Sequence, residues 1–223
     1  MKPCLHSFKQ RLMMNQKAFE AVKNGYCIGM SEQDIKKLIL NTWDMNKMDF
    51  SGDIAADGRI EGDATAFIPQ RGNTLILDLQ PGYDDCFADT TRTFFLGEPS
   101  PAQRHAYQAV IYTLEQMESI LTTHPKANEV YFVMQDALGT FGYSCPHHAG
   151  HALGVKKLME PRLIPECSTP LTPGMLIAME PGVYCDGWGI RMENNYLLTE
   201  DGIQELFQYP LDMQYFILKG DKL

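Results

Sequence analysis

The chain has 223 residues, 44% of them apolar and 21% charged, enough for one sizeable core and short for two independent domains. A formal net charge of −9 argues against a nucleic-acid or anionic-membrane partner, since either needs a basic face. No apolar run is fit for a signal peptide or long enough to span a bilayer, and the six scattered cysteines form no CxxC, so we expect a cytoplasmic protein with reduced thiols.

Residues 17–24 read as a helix, broken by Gly25 and Gly29. Ser31 starts a second helix, where Asp34 completes a capping box and Ile35, Leu38, Ile39 and Trp43 keep to one face. Residues 44–73 are rich in Gly and Asp and should hold one or two short strands among loops. Residues 74–96, TLILDLQPGYDDCFADTTRTFFL, then read as strand, turn and strand. Asp78 sits inside the first, almost wholly apolar strand, where a carboxylate is costly unless compensated. If the turn closes midway, on residues 81–85, Asp78 and Asp89 face each other across the strands. Opposed residues lie about 4.5–5.5 Å apart at Cβ, near enough for both carboxylates to hold one cation.

Ser100, Pro101 and Gln103 make a helix start, with Val110, Leu114, Met117 and Leu121 as the buried stripe and an end before His124-Pro125. A further helix is expected over residues 127–138. The segment CPHHAGHALG (145–154) follows, then an apolar strand over residues 175–179.

The order of elements repeats. KAFEAV (17–22) is echoed by HAYQAV (105–110), and GNTLILD (72–78) by GMLIAME (174–180), each strand ending on a carboxylate. Asp89 lines up with Glu193, and the pair Glu180 and Glu193 is centred on Asp186-Gly187, a good hairpin dipeptide. Two such halves packed face to face would gather Asp78, Asp89, Glu180 and Glu193. Four converging carboxylates repel one another unless divalent cations neutralise them. Of the clustered histidines, His151 is the expected fifth ligand. His147 could face the same cavity as a substrate contact or proton carrier, and His148 is expected to point elsewhere. Oxygen-dominated ligation with one imidazole suits two Mn²⁺ or Fe²⁺ ions, with Co²⁺ and Zn²⁺ also possible. Such a pair would share a hydroxide nucleophile and polarise a scissile carbonyl, which predicts hydrolysis, of an amide above all.

These residues resemble the pita-bread metallopeptidases, the family of methionine aminopeptidase, Xaa-Pro aminopeptidase and prolidase. The likeness runs from about residue 17 onward through GMSEQDI, LDLQPGY, ADTTRTF, HHAGHALG, LTPGMLIAMEPGVY and GIRMENNYLLTEDG. It implies an α/β pita-bread fold: two pseudo-twofold-related αβ halves, about 1–99 and 100–223, around a curved antiparallel sheet. A single catalytic domain over 1–223, without the larger N-terminal domain of many relatives, is expected. The resemblance carries over Asp78, Asp89, His151, Glu180 and Glu193 as metal ligands and Glu180 also as general base for a metal-bridging hydroxide. It further implies His147 as a substrate-side histidine and Arg191 as a residue supporting the site. MEPGVY leans to the proline-directed branch.

Two positions depart from the pattern. Leu158 stands where the family has a histidine seven residues after the histidine ligand, and residues 57–63 lack one expected 17–18 residues before Asp78. The leading expectation is an Xaa-Pro-type metalloaminopeptidase, monomer or homodimer, cleaving an N-terminal peptide bond with no nucleic-acid or membrane partner. The alternatives are a metal-dependent hydrolase or lyase acting on a non-peptide small molecule, or a fold that binds without catalysis.

Overall fold

The computed structural model describes residues 5–43, 50–83, 86–154 and 159–219. Helix α1 spans Leu5–Gly25 and buries Phe8, Leu12, Asn15, Ala18, Phe19 and Val22, the three-to-four spacing of one helical face. It begins well before residue 17, because the stripe at Phe8 and Leu12 is hidden among His6, Lys9, Gln10 and Arg11. Helix α2, Glu32–Leu40, starts at Ser31 with both bonds of the expected capping box. Among the described residues between α2 and the first long hairpin, one strand forms, β1 (Gly52–Ala55).

Strands β2 (Thr74–Leu79) and β5 (Thr90–Leu96) form the first hairpin, extended toward its tip by β3 (Gly82–Tyr83) and β4 (Cys86–Phe87). Every residue of β2 and β5 is buried, as a strand covered on both faces requires. Helices α3 (Pro101–Leu121) and α4 (Ala127–Gly139) follow, α3 opening on the capping box of Ser100 and Gln103. Then come β6 (Gly150–Leu153), β7 (Met159–Arg162), β8 (Leu176–Met179), β9 (Gly182–Cys185), β10 (Trp188–Arg191), β11 (Asn194–Thr199) and β12 (Gly202–Glu205). A 3-10 turn (Met213–Phe216) leads into β13 (Ile217–Leu218).

Two sheets result. The first has the order β1-β2-β5-β13 and the second β12-β11-β8-β6-β7, while β9 and β10 form a two-stranded ribbon. Pairing in the second sheet is antiparallel throughout, and only β13 joins the first sheet in parallel. Aromatic packing closes the first half: Phe19 meets Phe94, Phe207 and Tyr209, and Phe94 meets Phe216 edge-on. Among the described residues no disulfide joins Cys27, Cys86, Cys145, Cys167 or Cys185. No helix among the described residues is long and apolar enough to cross a membrane.

Glu32 shows how the loop after β1 is fixed. Its carboxylate is wholly buried and accepts from the N–H groups of Ala56 (2.9 Å) and Thr65 (2.8 Å), from the Thr65 hydroxyl (2.6 Å) and from Arg59. A buried carboxylate needs several charge-assisted donors, and this one draws them all from one loop. Ile60 and Glu61 are thereby held over the cavity described next.

Candidate metal centre

The two hairpins place their carboxylates differently. In β2–β5 the residue opposite Asp78 is Thr91, not Asp89. Tyr83 pairs with Cys86, so the pairing is centred one step beyond the midpoint of Asp78 and Asp89. Asp89 therefore stands two residues nearer the tip than expected. A two-residue offset keeps a side chain on the same face, whereas a slip of one would have turned it away. The site survives for that reason. In β8–β11 Met179 opposes Asn194, and one further step along the same register sets Glu180 opposite Glu193, as the Asp186-Gly187 turn implied.

Asp78, Asp89, His151, Glu180 and Glu193 are all buried, and all but Glu193 line a cavity of about 220 Å³. Asp89, His151 and Glu193 bring ligand atoms within 4.8 Å of one another. Nε2 of His151 is 3.4 Å from Asp89 Oδ2 and 3.9 Å from Glu180 Oε1. Nδ1 of His151 donates to the carbonyl of Ala152 (2.9 Å), which fixes the ring and turns Nε2 to the carboxylates. Thr91 donates its hydroxyl to Glu193 Oε2 (2.9 Å). Arg191 donates Nη2 to Asp78 Oδ2 (2.7 Å) and Nη1 to the carbonyl of Ile60 (2.6 Å) and the hydroxyl of Tyr184 (2.9 Å).

Each half also holds the backbone of the other half's carboxylates. Asn195 donates to the carbonyl of Asp89 (2.5 Å), and Arg92 donates to the carbonyl of Glu193 (2.8 Å). Arg92 is wholly buried, and its guanidinium donates to Thr91 O and Asn194 Oδ1 and lies over the ring faces of Phe207 and Tyr209.

The electrostatics are those of a crowded anionic site. Burial, then the charges of Asp78 and Glu180, push the Asp89 carboxyl well above the usual range. Burial, then Asp89, Glu180 and Asp78, do the same to Glu193. Burial alone would raise Glu180 as well, but close contact with His148 and the charges of His148, His147 and His151 hold it at about 2. Asp89 Oδ1 and Glu193 Oε1 are buried with no hydrogen-bond donor among the described residues. An ionised oxygen removed from water and left without a donor is unstable, and a cation is what such a pair of oxygens fits.

His148 corrects the sequence reading. Expected to point elsewhere, it lines the cavity with Nδ1 3.1 Å from Glu180 Oε1, at an angle that leaves Nδ1 without a formed hydrogen bond. His147 has both nitrogens engaged: Nδ1 with the carbonyl of His148 (2.8 Å) and Nε2 with the hydroxyl of Tyr184 (2.7 Å). Burial lowers its pKa below the ordinary histidine value. Asp53 was missed. It lies opposite Asp78 in β1–β2, lines the cavity, and has its pKa raised by burial and then by Asp78. Its pairing partner is 25 positions along the chain, and nothing local announces it. Tyr184 carried a signal, as the alternate residue of a strand beginning GVY. Leu158 lies outside the described residues.

Gly150 permits the approach of His151. Its φ is +148°, and a Cβ there would stand 1.9 Å from the carbonyl oxygen of Ala178. Gly150→Ala should cost on the order of 3 kcal/mol or more in urea unfolding. A loss below about 1 kcal/mol would show that the backbone yields there.

Comparison with known proteins bears on this geometry. The profile described as metallopeptidase family M24 matches residues 8–200. An Xaa-Pro dipeptidase of Pyrococcus furiosus is 30% identical over 156 residues, 69% of this chain and 42% of the relative. A peptidase of Staphylococcus epidermidis described as uncharacterized is 29% identical over 196 residues, 85% of this chain and 54% of its own. Among solved structures, the prolidase from Pyrococcus furiosus superimposes with a TM-score of 0.85 at 26% identity, covering 91% of this chain and 63% of that one. The X-Pro aminopeptidase from Thermotoga maritima gives 0.87 at 24% identity, with 95% and 62% coverage, a likeness of fold. The chain thus has the pita-bread fold and spans about half the length of the curated relatives it matches.

Proposed function

The chain belongs to metallopeptidase family M24, and from that premise we propose that it is a dinuclear metal-dependent peptidase that cleaves the N-terminal bond of Xaa-Pro peptides. The observation that carries this reading is the buried set Asp78, Asp89, His151, Glu180 and Glu193, with two carboxylate oxygens lacking donors beside an open cavity. These five residues would hold two divalent ions, and an oxygen-rich set with one imidazole suits Mn²⁺ before Fe²⁺, Co²⁺ or Zn²⁺. Bound there, the ions would polarise the scissile carbonyl and make water a nucleophile at neutral pH.

The remaining chemistry belongs to the chain. Glu180, held at about 2, stays ionised at neutral pH and can accept a proton at its cavity-facing carboxylate. Arg191 fixes Oδ2 of Asp78, and Gln80 donates weakly to Oδ1 (3.4 Å), so that aspartate keeps one orientation. Tyr184, between Arg191 and His147, links the wall of the cavity to its floor. The proline preference is taken from the names of the relatives, and its residues here are the cavity walls at Ile60, His147 and His148.

A panel of Xaa-Pro dipeptides, Xaa-Pro tripeptides and Met-initiated peptides, assayed with Mn²⁺, tests the proposal. Hydrolysis confined to Xaa-Pro substrates is the expected outcome, and the tripeptides decide between dipeptidase and aminopeptidase. One observation favours a second reading: Ile60 and Glu61 line the cavity in the segment where the family pattern places a histidine. Bound metal without turnover of any peptide would support a small non-peptide amide as substrate instead.

A further inference from the structure

Strand β10 lies across the face of the first sheet and not along its edge, because β2 and β5 are both interior strands of β1-β2-β5-β13. Its outward backbone groups therefore have no main-chain ladder to join, and buried N–H and C=O groups are rarely left unpaired. Two threonine hydroxyls fill the gap. Thr74 Oγ1 donates to the carbonyl of Gly189 (2.6 Å) and accepts its N–H (2.9 Å). Thr93 Oγ1 donates to the carbonyl of Arg191 (2.8 Å) and accepts its N–H (2.9 Å). Each hydroxyl thus makes the two bonds of one ladder step, and both threonines are wholly buried. Thr93 opposes Ile76, two residues from Thr74, so the clasps share one face of the sheet.

The residue held by the second clasp is Arg191, whose guanidinium holds Asp78 and which precedes Glu193 by two positions. We propose that Thr93 is a positioning residue of the metal centre: its hydroxyl sets the main chain of Arg191 over the first half and so fixes where the guanidinium meets Asp78. The proposal rests on the metal-centre reading given above. A valine at this position would keep the volume and both branches at Cβ while losing both bonds.

The test uses the full chain with Thr93→Val, Thr93→Ser and Thr113→Val. Thr113 is equally buried, but its hydroxyl has no hydrogen-bond partner among the described residues, which makes it the control for threonine-to-valine exchange. Mn²⁺ affinity is measured by titration calorimetry, and the metal-free proteins are compared through the side-chain ¹⁵N–¹H signal of Arg191, assigned with Arg191→Lys. Thr93→Val is expected to bind Mn²⁺ about 10–100-fold more weakly, the usual effect of losing an outer partner of a ligand, and to shift the Arg191 signal. Thr93→Ser and Thr113→Val should match the wild type in both. Wild-type affinity and an unmoved Arg191 signal in folded Thr93→Val would overturn the proposal, as would a serine variant no better than the valine. If the wild type itself binds no Mn²⁺, the metal reading fails, and the Arg191 signal still decides whether Thr93 positions that side chain. Should Thr93→Val not fold, Thr74→Val, which opens the neighbouring clasp on the same strand, carries the same expectations.

Discussion

Glu180→Gln should abolish peptide turnover while leaving a folded, metal-binding protein. The substitution keeps the shape of the side chain and removes the one carboxylate of the cluster that its surroundings hold well below the ordinary range, at about 2. Asp89 and Glu193 are pushed the other way, so Glu180 is the group most readily kept ionised beside the cavity. Loss of a positioned proton acceptor costs about 10²–10⁴-fold in rate, and loss of its charge beside the metals adds to that. The measurement is kcat on the best Xaa-Pro substrate, with metal content determined on the same sample. Retention of more than about a tenth of the wild-type kcat would rule out Glu180 as the base, since even the low end of that range is larger. Loss of all bound metal would show that it acts only as a ligand.

Divalent metal should stabilise the protein strongly, and more so as pH rises. One site occupied at 100 times its Kd adds about 2.7 kcal/mol, which for a chain of this size raises Tm by roughly 5–10 °C. The sign of the pH effect follows from the carboxyls. Asp89 and Glu193 titrate in the folded protein above their ordinary values of 3.8 and 4.5, so the metal-free protein gains from their protonation. That contribution is fully present below those ordinary values and is lost as pH rises through the folded ones. Glu180 runs oppositely: its contribution is present above 4.5 and fades as pH falls toward about 2. Metal binding needs the deprotonated forms, so the gap in Tm between Mn²⁺-loaded and metal-free protein should widen from about pH 5 to about pH 8. Asp89→Asn should raise the Tm of the metal-free protein at about pH 8 and remove most of the Mn²⁺ increment. A metal increment equal in Asp89→Asn and wild type would exclude Asp89 from the site.

Two of the proposed ligands were visible in the sequence because each is an anomaly where it stands. Asp78 and Glu180 interrupt apolar strands, and a carboxylate in that setting has few explanations. The capping boxes at Ser31 and Ser100 were legible for a related reason: their bonds are local and use side chains of fixed reach. What depends on long-range register was not legible. The register of the hairpin, one step beyond the expected one, is set by the pairing of Gly82 with Phe87 and Tyr83 with Cys86, a choice the turn composition leaves open. Asp53 joins the site only through its pairing with Asp78. His148 was set aside because three histidines within five positions cannot be sorted by spacing alone in a segment of mixed turn and strand. The early turns of α1 were missed because its buried residues are diluted by polar neighbours, although Asn15 there donates to Leu79 O (2.7 Å) and Thr90 Oγ1 (2.6 Å).

The crossed braces, Asn195 on the backbone of Asp89 and Arg92 on the backbone of Glu193, make the two halves mutual creditors. Neither half contains a finished half-site, since the anchor for each one's second carboxylate is carried by the other. A docking error of even a single strand step would loosen both anchors together, so in the proposed centre capture of an ion would report that the halves have met correctly. On that reading, loading and assembly would be a single event: a chain misassembled at the seam would have nowhere to keep a metal ion.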